Sequence, residues 1–105
     1  MLHVELEFKT EAAAKELVTA WARCADWCRA NEAGLMHYEI ARSQTDPLKY
    51  GIFERYASLD AYASTHKSTE AYRTFRPKMQ ALQDSGELEA VSYTHLRAHE
   101  TEADL

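Results

Sequence analysis

The sequence predicts a single α+β domain, an antiparallel sheet with its helices gathered on one face, and three observations predict it. Apolar residues recur at every second position in four short segments and at every third or fourth position between them. The resulting order, strand-helix-strand-strand-helix-helix-strand, has no internal repeat at a solenoid period. With 105 residues, 46% of them hydrophobic and 28% charged, the chain has material for one modest core and not for two.

The first strand is residues 2–8, where Leu2, Val4, Leu6 and Phe8 point one way and His3, Glu5 and Glu7 the other. Thr10 is placed to cap a helix with Glu11 in its first turn and an inward stripe of Ala13, Leu17, Trp21, Cys24 and Cys28, ending near Gly34. Residues 35–41 read as a second strand, with Met36, Tyr38 and Ile40 on one face and Leu35, His37 and Glu39 on the other. Turn-forming residues Ser43 to Pro47 follow. Tyr50, Ile52, Glu54 and Tyr56 then alternate with Gly51, Phe53 and Arg55, so strands two and three form a hairpin.

Ser58 opens a short helix whose apolar side runs Leu59, Tyr62 and His66, and Ser68 caps another with the stripe Tyr72, Phe75, Met79 and Leu82. Pro77 falls inside that stripe and is expected to kink or divide the helix, because it removes a backbone donor. After Asp84-Ser85-Gly86, residues 88–93 form the last strand. A βαββααβ order with an antiparallel sheet is a ferredoxin-like α+β sandwich.

Twelve basic against seventeen acidic residues remove the electrostatic basis for binding a phosphate backbone, so nucleic acid is excluded as a partner. No run approaches the length a membrane helix needs, and the start Met1-Leu2-His3-Val4-Glu5 has no basic, apolar leader, which gives a cytoplasmic expectation with no membrane partner. Cys24 and Cys28 lie one helical turn apart with parallel side chains, so they are read as packing residues rather than a disulfide or a metal site.

The sheet's second face raises a different expectation. Phe53 and Leu35 lie opposite the face that carries Tyr50, Ile52, Tyr56, Met36, Tyr38 and Ile40, so both faces need cover and the helices shield one. Two copies packed sheet to sheet cover the other, which predicts a homodimer.

The run Asn31-Glu32-Ala33-Gly34-Leu35-Met36-His37-Tyr38-Glu39-Ile40, then Asp46-Pro47, Phe53-Glu54-Arg55-Tyr56, Ala61 and His66-Lys67-Ser68 resembles the antibiotic biosynthesis monooxygenase (ABM) family of dimeric α+β barrels. The resemblance covers roughly residues 2–82, and its most specific part is the ordered series Gly34, Tyr38, Asp46-Pro47, Glu54, His66. It implies a sheet-to-sheet homodimer. For some members it implies oxidation of quinols or polycyclic phenols by dioxygen without metal or flavin; others cleave haem or isomerise small sugar-like molecules. The family commonly has Glu-Pro-Gly where this chain has Glu32-Ala33-Gly34, and often Trp where it has Tyr56. The haem-cleaving branch uses an Asn on its first strand, and residues 2–8 contain none.

Oxygenating a phenol without a cofactor requires a base to remove its proton and a dry pocket to hold the anion. His66, four residues after Tyr62 on the side expected to face the sheet, is the expected base, since imidazole is mostly neutral at pH 7. A histidine that closes its helix by binding a backbone carbonyl is the alternative. Glu54 shares its face with Ile52 and Tyr56 and must be protonated or paired, either as a second catalytic group or with an arginine such as Arg42 or Arg55. Tyr38, Tyr56, Tyr62, Tyr72 and Phe75 are the candidates for shaping a pocket around a flat ring, with packing as their simpler role.

The expected function is therefore a cofactor-independent monooxygenase that uses dioxygen on a quinol, anthrone or similar electron-rich aromatic, with no metal. The alternatives are a non-catalytic small-molecule-binding dimer and a proton-transfer isomerase. Residues 1–91 form the expected domain. Residues 92–105, beginning Ser92-Tyr93-Thr94-His95, resemble translated vector sequence, so His95 and His99, four apart beside Glu100, are not read as a metal site despite their spacing.

Overall fold

A computed structural model describes residues 1–94. Strand β1 (Leu2–Phe8) leads through Thr10, whose hydroxyl accepts the Ala13 N–H at 3.1 Å, into helix α1 (Glu11–Asn31). Strands β2 (Leu35–Arg42) and β3 (Lys49–Tyr56) form the hairpin. A π-helical turn (Ala61–Thr65) runs straight into a 3₁₀ turn (His66–Ser68), then come helix α2 (Glu70–Asp84) and strand β4 (Leu88–Thr94). The sheet order is β2-β3-β1-β4, antiparallel throughout, with both helices on one face: the ferredoxin-like α+β fold.

Central strand β1 fixes the register. Val4 faces Ile52 on one side and Ser92 on the other, and Val4, Leu6 and Phe8 are buried under Leu17 and Trp21 of α1 and Phe75, Met79 and Leu82 of α2. Two glycines are required by position. A Cβ on Gly34 would lie 2.7 Å from the Ala61 Cβ, so only glycine lets the π turn close onto the start of β2. Gly86, at φ 78°, ends α2, its N–H bonding to the Gln83 carbonyl while Glu87 N–H bonds to that of Leu82.

Four local expectations are corrected. A bulge between Leu35 and His37 shifts the pairing, so Leu35 packs against the core while Met36, expected beside Tyr38 on the inner face, is 62% exposed. The short helix after Ser58 is wide-turned: Ser58 Oγ accepts the Ala61 N–H, Leu59 is exposed, and His66 drops to full burial. Thr69, not Ser68, caps α2, accepting the Tyr72 N–H at 3.1 Å. Pro77 does not divide α2, since both it and Arg73, whose carbonyl would have been its partner, are exposed and water can serve that carbonyl.

The uncovered face also differs from what the alternation implies, because Leu35 has left it and Met36 has left the inner face. The open face carries Phe53, Val91 and Tyr93 among His3, Glu5, Glu7, His37 and Glu39, with the His3 ring stacked on Phe53 at 4.5 Å. A hollow of about 540 Å³ lies on this face, lined by Glu5, Arg42, Lys49, Phe53 and Val91 among others. No helix among the described residues is long and apolar enough to cross a membrane. The spaced pair His95 and His99, with Glu100, lies outside the described residues, whereas Ser92 and Thr94 pair with Val4 and Leu2 in the sheet.

Candidate active site

The inner face of β3 carries Ile52 and Glu54, and Tyr38 of β2 is the register partner of Glu54. Together with the π turn and α2 they wall a cavity of about 260 Å³. Glu54, Tyr38, Tyr62, Tyr72 and Phe75 line it, so five of the seven residues singled out from the sequence meet at one hollow. Lys67, which the sequence singled out only as part of the His66-Lys67-Ser68 run, and Arg76, which it did not single out, line it as well.

Glu54 is buried, and Tyr56, next on the same face, donates its hydroxyl to Oε1 at 2.6 Å. Neither Arg42 nor Arg55, the partners expected from the sequence, holds it. Arg55 is exposed, and no ion pair to Glu54 exists among the described residues. Burial pushes the carboxyl above the usual carboxylate range, and the Tyr56 hydrogen bond and the charge of His66 offset only part of that rise. Burial and the nearby Glu54 charge likewise push the Tyr38, Tyr56 and Tyr62 hydroxyls up, so the site's phenols stay protonated donors at any physiological pH.

His66 and Tyr56 are not among the cavity-lining residues. The imidazole is fully buried behind the wall, with the rings of Tyr38, Tyr56, Tyr62 and Tyr72 at 5.4, 5.3, 6.3 and 5.0 Å. Nδ1 lies 2.8 Å from Oε2 of Glu32, so the ring is held by a carboxylate rather than by a backbone carbonyl at the helix end. Burial works against the charged ring, but the Cys28 thiol and Glu32 beside it outweigh burial and raise its pKa.

Sequence reasoning missed Glu32. It caps the end of α1, its N–H bonding to the Cys28 carbonyl at 2.8 Å, and only the fold brings it to a histidine 34 positions away. Its signal was a lone carboxylate between a helix end and Gly34, a place where an acid disfavours the helix macrodipole and so calls for another reason. The same closure brings ligand-type atoms of Cys28, Glu32 and His66 within 4.8 Å of one another, a donor set among the described residues that could hold a metal. The carboxylate and the imidazole are already engaged with each other. Cys24 and Cys28 are free thiols, 3.9 Å apart and buried.

The sheet order, the cavity over its inner face and the buried carboxylate within it define a class of small α+β proteins, and comparison with known proteins places the chain in one family. The model of the family described as antibiotic biosynthesis monooxygenase matches residues 1–78, and the chain belongs to that family. It is similar to a Caulobacter crescentus protein provisionally assigned as an antibiotic biosynthesis monooxygenase, with 26% identity over 91% of this chain and 90% of that one and a TM-score of 0.68. A Nitrosomonas europaea protein with the same provisional assignment is 24% identical over 91% and 98% of the two chains, TM-score 0.66. The protein Rv0793 of Mycobacterium tuberculosis shares the fold at 17% identity over 94% and 97%, TM-score 0.66. No functionally curated protein matches the chain in sequence. Family and neighbours support a general monooxygenase-like role.

Proposed function

We propose that this protein is a cofactor-independent oxygenase that deprotonates an electron-rich phenol, quinol or anthrone in the cavity over β3 and exposes the resulting anion to dioxygen. The observation that carries this reading is Glu54: a buried carboxylate with no cationic partner among the described residues, lining a cavity walled by tyrosines. Its raised pKa makes it a stronger base than an exposed carboxylate, and burial keeps water from competing for the proton. The base role falls to Glu54 rather than to His66, because Glu54 lines the cavity and the fully buried His66 does not. His66 is a positioning residue, tied to Glu32 and packed against four tyrosines.

Proton abstraction leaves Glu54 neutral and the substrate an anion. The anion passes one electron to dioxygen, and the substrate radical and superoxide combine through a new C–O bond to a peroxide, which takes the proton back from Glu54. With an anthrone, loss of water from that hydroperoxide leaves a carbonyl, so one oxygen atom enters product and the other leaves as water.

The reading includes a homodimer through the open sheet face. Phe53, Val91 and Tyr93 there need cover, and proteins of this family are commonly dimeric.

Oxygen uptake with quinols and anthrones, compared for the wild type and Glu54→Gln, tests the function. The expected loss in the variant is about 100-fold or more, with substrate still bound. Turnover that continues under nitrogen would replace the oxygenase with an isomerase, and saturable binding without turnover would replace it with a carrier.

A further inference from the structure

We infer that the cavity selects aromatic acids: a phenol or quinol of one or two rings bearing a carboxylate, its hydroxyl directed to Glu54 and its acid group to Arg76 and Lys67. The inference rests on the oxygenase reading of the same cavity and narrows its substrate class.

Three observations carry it. Lys67, from the 3₁₀ turn, and Arg76, from α2, converge on one cavity whose single acidic residue, among those described, is Glu54. Neither cation has a carboxylate partner among the described residues. The Arg76 guanidinium is instead aimed by neutral groups, Nη1 donating to Gln83 Oε1 and Nη2 to Gln80 Oε1, both at 3.1 Å, which fixes the fork without cancelling its charge. Lys67 Nζ stands 4.8 Å from the centre of the Tyr62 ring, held over an aromatic face rather than over an acid.

In a chain of net charge −5, two uncompensated cations over one hollow make a local field that draws anions. A half-buried guanidinium held by amides suits a planar carboxylate better than a point charge alone would. Their field already reaches the wall: Arg76 pulls the Tyr62 and Tyr72 hydroxyls down against burial, and Lys67 does the same to Glu54. Size limits the remainder of the ligand. At about 260 Å³ the cavity is smaller than the roughly 300–1,000 Å³ usual for small-molecule sites, which favours one or two rings.

The test is anaerobic binding, measured by calorimetry, of 6-hydroxy-2-naphthoate and 2-naphthol to the wild type, Lys67→Gln, Arg76→Gln and the double variant. The wild type is expected to prefer the acid by about tenfold or more, and the preference to shrink as salt is raised. Arg76→Gln should remove the larger part of this ratio of acid to neutral affinity, about fivefold, Lys67→Gln the smaller part, about twofold, and the double variant should bring it to about one. Equal affinities in the wild type, or a ratio that survives the double variant, would overturn the inference. Because no oxygen is present, this result is separate from the oxygenase reading: the acid can be preferred by a protein that never consumes oxygen, and neutral quinols can be oxidised by one with no preference.

Discussion

Two buried carboxylates stand on either side of the tyrosine cluster, and their surroundings differ. Glu32, at the end of α1, has a fully buried imidazole 2.8 Å away and a thiol beside it. Glu54, in mid-strand, has one phenol hydroxyl at 2.6 Å and an open cavity in front. A charge sealed away with its counter-charge holds structure together, whereas a carboxylate buried beside a hollow with no ion-pair partner among the described residues is poised to take a proton. The first region closes the π turn onto the helix. The second leaves a base for a ligand.

The largest expected difference is in stability. Replacing Glu32 with Gln takes the counter-charge from a buried imidazole, and breaking such an ion pair costs about 3–5 kcal/mol, while Glu54→Gln is expected to leave the melting temperature at pH 7 unchanged or raised. Thermal melts of the two variants side by side check this. Equal destabilisation would remove the distinction between the regions. The next effect lies on the link between them: Gly34→Ala drives a methyl against Ala61 at 2.7 Å and pushes away the turn that leads to His66, at a cost of about 1–3 kcal/mol in denaturant unfolding.

Titration sharpens the contrast by pH window. Both pKa values are raised in the folded state, so in both cases folding binds a proton more tightly and stability falls as pH rises. For Glu54 the fall begins above the unfolded value of about 4.3 and ends at its raised folded value; for His66 it begins above about 6.5 and ends at its own. Stability measured against pH in urea should show both declines in the wild type. The lower one should vanish in Glu54→Gln and the upper one in His66→Gln. Loss of the upper decline in Glu54→Gln instead would mean that the groups titrate as one coupled unit.

The fold was readable because the sequence states it twice, in the alternation of Leu2, Val4, Leu6 and Phe8 and in the three-four spacing of Leu17, Trp21, Cys24 and Cys28. What alternation misses is a bulge, which inserts one residue and reverses parity; hence Met36 and Leu35 exchanged roles. The cavity's aromatic wall and Glu54 were legible as polar or aromatic residues on an apolar face. Glu32 was only hinted at, since an acid set against the helix macrodipole asks for a reason, but its sequence neighbours do not show that the reason is a histidine 34 positions away. Lys67 and Arg76 were not legible as cavity residues, because most exposed or half-exposed cations are surface, and only their convergence on one hollow gives them meaning.

The central claim is that Glu54 receives the substrate's proton. Rapid mixing with a phenol whose anion absorbs visible light, in the absence of oxygen, measures that step alone. The account predicts anion formation in the wild type and none in Glu54→Gln at equal occupancy of the site. Undiminished anion formation in Glu54→Gln, lost instead in a folded His66→Gln, would contradict it.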